Sequence, residues 1–390
     1  MIPFPEAHGR ILDCVRPLGT ETVALQSLSG RVLAQDLVCP FDVPHFDNSQ
    51  VDGYAVCSTD DGPRKIVGVS AAGVPSSARL REGEAIRIYT GAPMPPGADA
   101  VAMQEDARVE VDLLHLDEFV RPGQSVRFRA EEIAAGTTFP TVGAIATPPV
   151  VGLAASFGLT QLTVYRRPRV AIVATGDELI QPGQPLLGAQ IYASNVWALQ
   201  SALEALGVGT TVRLVRDDPE ATYQALSEAL DAANVVLTVG GVSVGDRDLV
   251  RRALASLDVE EVFWRVSMKP GKPFYFGQRD EKVIFGLPGN PVSALVTFHV
   301  LVRAALRKML GLTSPEEEFG APLAIPIERN DLRYEFVRAT LSHGTATPVS
   351  NQGSHMQTGL AFADCLIHLP DGVASFEAGE HVTVTPLRWS

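Results

Sequence analysis

Residues 234–257 read NVVLTVGGVSVGDRDLVRRALASL: a continuous apolar run, two adjacent glycines, a third glycine, then apolar positions at helical spacing. A short uninterrupted apolar run fits a strand buried on both faces, as in a parallel sheet, and parallel strands need a crossover helix between them. The pattern recurs three more times. RVAIVATGDEL (169–179) precedes NVWALQSALEALG (195–207), and TTVRLVRDDPE (210–220) precedes ATYQALSEALDAA (221–233). KVIFGLPGNP (282–291) precedes VSALVTFHVLVRAALRKML (292–310). Four strand–turn–helix units predict a doubly wound, mostly parallel α/β domain, placed at residues 168–312. Within it Asp218 is set to cap a helix with Pro219 in its first turn, and Asn290 with Pro291 repeats the pair.

Outside this block the character changes. EAHGRILDCVRPLG (6–19) carries apolar residues at helical spacing until Gly19. From Cys39 the run CPFDVPHFDNSQVDGYAV holds Pro40 and Pro44, which disfavour a helix and mark a passage between domains. Between Tyr54 and Glu131, short alternating runs separated by glycine and proline (AIRIYTGAP, AVAMQEDARVEV, LHLDEFV) predict a mostly β module. TPPVVGLAASFG (147–158) reads as a small-residue helix and RRPRV (166–170) as a linker. After GLTSPEEEFGAPL, short strands return in LRYEFVRATL, CLIHLP and HVTVTPL. The expected architecture is multidomain α/β and β. An N-terminal linker domain (1–39 and 132–167) carries an inserted β domain (40–131), and a small C-terminal β domain (313–390) follows the α/β domain.

Composition narrows the function classes. With 390 residues, two to four domains are expected. No run approaches the ~18 apolar residues of a membrane span, and MIPFPEAHGR lacks the basic-then-apolar pattern of a secretory leader, so the cytoplasm is the expected compartment. Cys14, Cys39, Cys57 and Cys365 are scattered, which speaks for free thiols rather than zinc or a redox dithiol. The histidines form no H-E-x-x-H pair. A net charge of −13 argues against nucleic acid, so an anion site needs cations gathered locally. RVSMKPGK (265–272) gathers Arg265, Lys269 and Lys272.

In an open α/β sheet, ligands sit outside the carboxyl ends of the strands. The predicted strands end at Thr175–Glu178, Asp217–Asp218, Gly240–Asp248 and Pro288–Pro291. A glycine turn opening a helix binds anions through backbone N–H groups, which makes Gly240, Gly241 and Ser243 a candidate phosphate cradle without a P-loop lysine. The same glycines equally fit plain close packing of strand on helix. Glu178, Asp217 and Asp248 are expected along one rim with Lys269 and Lys272 nearby, a set that suits an anionic substrate with a hard cation such as Mg²⁺. Residue chemistry alone leads to a phosphate-bearing ligand and metal-assisted chemistry, no further.

Seven motifs then occur in order: FDNSQVDGYAV, TGAPMPPGADAVAMQED, ATGDEL, GGVSVGDRD, MKPGKPF, GLPGNPVSA and NQGSHM. Together they resemble the MoeA family, the molybdopterin molybdotransferases, whose eukaryotic relatives are the E domains of gephyrin-like proteins. The resemblance spans nearly the whole chain. It implies a cytoplasmic homodimer of four-domain subunits, with the pterin on the α/β domain and the inserted β domain completing the site across the dimer. The implied substrates are adenylylated molybdopterin and molybdate, with Mg²⁺ as cofactor; AMP leaves and molybdenum enters the dithiolene. Residue by residue, the resemblance assigns catalysis to Asp52, Glu132, Glu178, Asp217, Asp248 and Lys269, with Glu178, Asp217 and Asp248 toward the metal. It assigns substrate binding to Thr90, Arg127, Gly240, Gly241, Ser243, Arg265, Lys272, Pro288, Pro291, Arg338 and Ser354.

Two departures stand out. Glu131-Glu132 occupies a place where the family usually has Glu-Asp, and Arg265 one where lysine is common; arginine keeps the cation but offers a planar fork for an oxyanion. Three alternatives stay open from the sequence: a molybdopterin adenylyltransferase, which shares the TGDE and GGxS turns but typically lacks both β modules; a non-catalytic gephyrin-like scaffold; and a tungstate-specific variant. Docking of a partner adenylyltransferase is likewise left open.

Overall fold

The computed structural model describes residues 1–241, 249–314 and 317–387. Its contacts divide the chain into two units: residues 1–35, 142–149 and 161–390 form the first, and residues 36–141 and 150–160 the second.

The first unit contains the expected α/β sheet. Its strands are β1 (Val170–Thr175), β2 (Thr210–Val215), β3 (Val235–Val239), β4 (Glu260–Trp264), β5 (Tyr275–Arg279) and β6 (Lys282–Leu287). They lie in the order β2-β1-β3-β6-β5-β4. Strands β2, β1, β3 and β6 run parallel, while β5 is antiparallel to both of its neighbours. Every residue of β1 and β3 is buried, which is why they read as unbroken apolar runs. Edge strand β2 has no fully buried residue and alternates, as a strand covered on one face does.

The helices are α1 (Ser194–Ala205), α2 (Pro219–Ala232), α3 (Leu249–Ser256), α4 (Pro291–Thr297) and α5 (Arg303–Met309), the last two joined through a π-helical turn at Phe298–Val302. In α2 the buried residues Thr222, Ala225, Leu226, Ala229 and Leu230 recur at three- and four-residue spacing and face the sheet. Asp218 caps this helix as expected, accepting a 2.8 Å hydrogen bond from the Ala221 N–H. Asn290 does not repeat the arrangement. It holds the N-cap position of α4, but its side chain makes no cap bond and is used elsewhere.

A second sheet in this unit runs through Ile2–Pro3, Val266–Lys269, Tyr334–Ser342, Cys365–Leu369, His381–Pro386 and Phe319–Pro322, with Thr345–Pro348 paired to the long strand. The connection from β4 to β5 is therefore a strand of the C-terminal sheet, with Met268 opposite Tyr334 and Lys269 opposite Glu335. Val266 and Met268 are fully buried while Ser267 and Lys269 are partly exposed, the alternation a half-buried strand requires. Helix Phe4–Cys14 places Ala7 and Ile11 in the same apolar cluster as Val266, Met268 and much of the α/β core. The α/β and C-terminal domains share a core and a sheet.

The second unit is built on a six-stranded sheet in the order Ala100–Met103, Gly53–Val56, Glu84–Ile88, Arg64–Ser70, Leu113–Leu116, Ala107–Glu110, as the alternating runs predict. Pro148–Ser156 is helical, also as expected. All four cysteines are free, Cys39 and Cys365 buried. Among the described residues no helix is long and apolar enough to cross a membrane.

Two glycines give opposite expectations for the same substitution. A Cβ on Gly53 would lie 1.9 Å from the Ala102 carbonyl oxygen on the neighbouring strand, whereas one on Gly9, inside the N-terminal helix, meets nothing within 4 Å. Gly53→Ala is expected to destabilise by about 1–3 kcal/mol, as overpacking does. Gly9→Ala is expected to stabilise by up to about 1 kcal/mol through helix propensity. Denaturant unfolding of the two variants checks both signs, and equal stabilities would refute the packing of this strand pair.

Candidate functional site

The strand order fixes where the site lies. The chain leaves β1 for β2 on one side and returns to β3 on the other, so the connections diverge between the carboxyl ends of β1 and β3. A cleft of about 180 Å³ opens there, lined by Thr175, Glu178, Leu179, Ile191, Tyr192, Ser194, Asn195, Gly240, Gly289, Asn290 and Pro291 among others. A larger cavity of about 960 Å³ lies at the opposite, amino end of the strands, beside Arg169, Asn234 and Asp280. Topology and the motif residues both select the smaller one.

Gly240 and Gly241 have positive φ angles of 84° and 67°. A Cβ on Gly240 would meet the Thr175 carbonyl oxygen at 2.9 Å, and one on Gly241 the Val250 Cγ2 at 2.5 Å. Both glycines are thus required by backbone conformation and by close approach of β1 and α3. Ser243 and Asp248 lie outside the described residues.

Glu178 and Asp217 are exposed on neighbouring turns. The turns are tied by Gly176 N–H donating to the Val215 carbonyl (3.1 Å) and Asp217 N–H to Asp177 Oδ1 (3.2 Å). Asp177, to which sequence reasoning gave no role, is thus the residue that couples them. Among the described residues no three ligating side chains are gathered. The chemistry of the pair still fits Mg²⁺, which needs only one or two carboxylates and takes its remaining ligands from water and phosphate.

The cations separate into two kinds. Arg265 sits in the left-handed region (φ 69°) with its guanidinium 4.0 Å from the Trp264 ring centroid. Lys272 is exposed, and its carbonyl accepts from the Val266 N–H. Lys269 differs from the expectation of a free rim cation: its Nζ lies 2.8 Å from Glu335 Oε1, and the Glu335 side chain is only 10% exposed. The reason is the strand pairing, which sets Lys269 directly opposite Glu335. Arg338 is 1% exposed, and its guanidinium donates to the carbonyls of Asn351 (2.6 Å) and Gly353 (3.3 Å). Pro288 is buried at the end of β6 and Pro291 opens α4, so both shape the turn. Ser354 reaches that turn by accepting from Asn290 Nδ2 (3.0 Å).

Four assigned residues belong to the second unit. Asp52 Oδ1 accepts from the Thr90 N–H (2.8 Å) and the Thr90 hydroxyl (2.7 Å). These two bonds, the N–H first, hold the Asp52 carboxyl below its ordinary value of 3.8. The sequence picked both residues but not their contact. Arg127 is exposed on a strand opposite Asn48, and Glu132 is exposed with its N–H on the Val43 carbonyl. Glu131 is occupied locally, accepting from the Phe128 N–H at 2.7 Å.

Sequence reasoning missed Ser194, Asn195 and Gln357 as partners at the cleft. Asn195 Nδ2 donates to the Gly289 carbonyl (2.7 Å), and Gln357 Nε2 to Ser194 Oγ (3.2 Å). The one available signal was the Ser-Asn pair at the start of the α1 pattern, polar residues at a helix N-terminus facing the ligand edge.

A doubly wound domain with its cleft at the reversal of strand order, fused to a C-terminal β sheet and accompanied by a second β unit, is the architecture found in molybdenum cofactor biosynthesis proteins. Family descriptions match in series: "MoeA N-terminal region (domain I and II)" over residues 2–158, "Probable molybdopterin binding domain" over 171–308 and "MoeA C-terminal region (domain IV)" over 320–387. The chain is 35% identical over 401 aligned positions to the molybdopterin molybdenumtransferase of Haemophilus influenzae, covering 100% of this chain and 99% of that protein. It is 36% identical to molybdopterin molybdenumtransferase 2 of Mycobacterium tuberculosis, covering 98% and 99%. The crystal structure of the molybdopterin biosynthesis MoeA protein of Pyrococcus horikoshii aligns with a TM-score of 0.86 at 30% identity, covering 100% and 99%. The chain belongs to the MoeA family.

Two outcomes follow from the geometry. Lys269→Ala leaves the buried Glu335 carboxylate unpaired, so a loss on the order of 1–3 kcal/mol is expected; Lys269→Ala unfolding at the wild-type denaturant midpoint would show the pair to be dispensable. The Asp52 carboxyl is depressed, so its contribution to stability is present above the ordinary 3.8 and is lost as pH falls below it. Thr90→Val removes the hydroxyl donor and should move the Asp52 midpoint upward in an NMR carboxyl titration; an unmoved midpoint would mean the hydroxyl bond contributes nothing.

Proposed function

We propose that this chain is a molybdopterin molybdenumtransferase, which takes adenylylated molybdopterin and molybdate, releases AMP and leaves molybdenum in the dithiolene. The observation that carries the reading is the cleft at the β1/β3 reversal, bounded by the TGDE, GG and LPGNP turns in a chain related end to end to molybdopterin molybdenumtransferases. Leu179, Ile191 and Val196 give one wall an apolar surface suited to a flat heterocycle, while Gly240, Ser194 and Asn195 bring polar groups to its rim. A cleft of about 180 Å³ is small for a whole dinucleotide-sized ligand, since such sites usually run to ~300–1,000 Å³. It fits one portion of the substrate, with the remainder extending along the sheet edge.

In this reading Arg265 and Lys272 attract and orient the oxyanion. Lysine contributes a mobile point charge, and the Arg265 fork suits two oxygens at once. Glu178 and Asp217 would hold Mg²⁺, with Asp248 as a third candidate. When bound, that ion supplies charge neutralisation at the phosphoanhydride oxygens. Asp52, kept ionised by Thr90, offers a fixed negative acceptor from the second unit. We take the working protein to be a cytoplasmic homodimer whose second unit completes the partner's site, and docking with an adenylyltransferase is compatible with substrate handover.

The test is AMP release from adenylylated molybdopterin, with molybdate and Mg²⁺ each present or omitted. Release that requires both is expected, and Glu178→Gln or Asp217→Asn should lower it by roughly a hundredfold. AMP release indifferent to molybdate, or ATP-dependent adenylylation of molybdopterin, would sink the proposal. For the dimer, light scattering should give about twice the 41.7 kDa chain mass, and mixed Asp52→Asn and Asp217→Asn subunits should regain part of the activity that each lacks alone.

A further inference from the structure

The stretch RRPRV (166–170), which leads into β1, takes no part in the cleft. It crosses the amino end of the α/β sheet. There the Arg169 N–H donates to Asn234 Oδ1 (3.0 Å) and the Asn234 N–H to the Arg169 carbonyl (2.9 Å), which pins the linker between the starts of β1 and β3. The segment that follows helix Phe4–Cys14 runs beside it, the Arg166 N–H donating to the Gly19 carbonyl (3.0 Å). These two passages and the β5–β6 turn enclose the cavity of about 960 Å³, all within the first unit.

Four arginines line this cavity: Arg16, Arg166, Arg167 and Arg169. Their side-chain bonds go to backbone carbonyls. Arg16 Nη1 donates to the Asp13 and Val15 carbonyls (2.8 Å each), Arg166 Nε to the Thr20 carbonyl (2.9 Å) and Arg167 Nη2 to the Gly30 carbonyl (3.2 Å). Among the described residues none of the four is paired with a carboxylate, whereas Arg31 is paired with Glu21, Arg251 with Glu261 and Arg333 with Asp331. A carbonyl anchor orients a guanidinium without cancelling its charge, and each fork keeps further N–H donors. In a chain of net charge −13 such a group reverses the field locally and draws anions.

The cavity also has carboxylates, Asp13 at the helix end and Asp280 and Glu281 on the β5–β6 turn. A carboxylate repels a bare anion but accepts hydrogen bonds from hydroxyls. Guanidinium forks match phosphates, and the carboxylates match the hydroxyls of a sugar. A volume of about 960 Å³ suits a ligand carrying both, since small-molecule sites run to ~300–1,000 Å³.

We propose that this cavity is a second ligand site, for a nucleoside diphosphate or triphosphate, with the phosphates on Arg16, Arg166 and Arg169 and the ribose hydroxyls on Asp280 and Glu281. It lies at the opposite end of the strands from the cleft and does not depend on the reaction proposed there. Cys14 lines the same cavity and is partly exposed, as is Cys57 in the second unit, while Cys39 and Cys365 are buried. Alkylation of the full chain, read by mass spectrometry, therefore reports occupancy at Cys14 with Cys57 as the internal control. ADP is expected to slow alkylation of Cys14 and not of Cys57. Inorganic pyrophosphate should need a concentration roughly tenfold higher for the same protection, and adenosine, without phosphates, should give none. Arg166→Gln and Arg169→Gln should each raise the half-protecting ADP concentration by roughly tenfold, and Glu281→Gln should bring ADP close to pyrophosphate. The three side chains are exposed, so folding should be kept, which thermal melting without ligand checks.

No protection of Cys14 by ADP or pyrophosphate at millimolar concentration, or protection unchanged in both arginine variants, would overturn the site. Protection by adenosine alone, or by pyrophosphate as readily as by ADP, would overturn the nucleotide as its ligand. Lys272→Ala, at the other end of the sheet, should leave the protection as it is; its loss there would place the bound anion elsewhere than in this cavity. If either arginine variant does not fold, Arg16→Gln carries the same readout.

Discussion

Two neighbouring parallel strands whose connections depart in opposite directions cannot fill the space between their own ends. That is the constraint at β1 and β3, and the rest of the site is arranged around it. The turns after the strands must carry residues that tolerate close approach, hence Gly240 against Thr175 and Gly241 against Val250. The helices after the turns present their N-termini to the gap, where backbone N–H groups lack intrahelical partners. A partly apolar crevice edged by helix N-termini is the physical result.

Charge is then distributed locally against an unfavourable global field. The chain carries −13 overall, so cations at the rim have to be kept from internal neutralisation if they are to serve an anion. Lys269 is not kept so, being paired with Glu335, and Arg338 gives two of its nitrogens to loop carbonyls. The Arg265 guanidinium lies over the Trp264 ring, and Arg251, on the same ring, is answered by Glu261 at 2.7 Å. The stack on Trp264 orients a guanidinium without cancelling its charge. In the second unit the same logic is reversed for Asp52, whose negative charge is stabilised by Thr90 rather than by a cation at contact distance.

The shared sheet gives the C-terminal domain its place in this scheme. Because Val266–Lys269 pairs with Tyr334 onward and with Ile2–Pro3, the chain segment bearing the rim lysines is held by the C-terminal sheet. The loop at Ser354 adds a second attachment at the LPGNP turn. Both attachments act on connections between elements of the α/β sheet, one a strand lent to the C-terminal sheet and the other the LPGNP turn.

The sequence by itself determined the elements and the ligand edge. Apolar runs with period breaks at Gly240 and Pro288 were enough to find β3 and β6, and Asp218 with Pro219 announced α2, because these signals are local: burial on both faces, a cap, a fixed φ. The motif order was also enough to place the chain beside its relatives. What only the tertiary structure decided was which charged side chains are free. Lys269 and Lys272 sit three residues apart in one motif and look alike in sequence, yet one faces Glu335 across a strand pair and the other faces solvent. Nothing in the sequence shows that Arg338 is buried. Asn290 reads as a cap until Ser354 arrives from 64 residues further along the chain. A side chain's partner is set by packing between segments distant in sequence, and the energy of a charge depends on that partner and on its exposure, neither of which is written in local spacing.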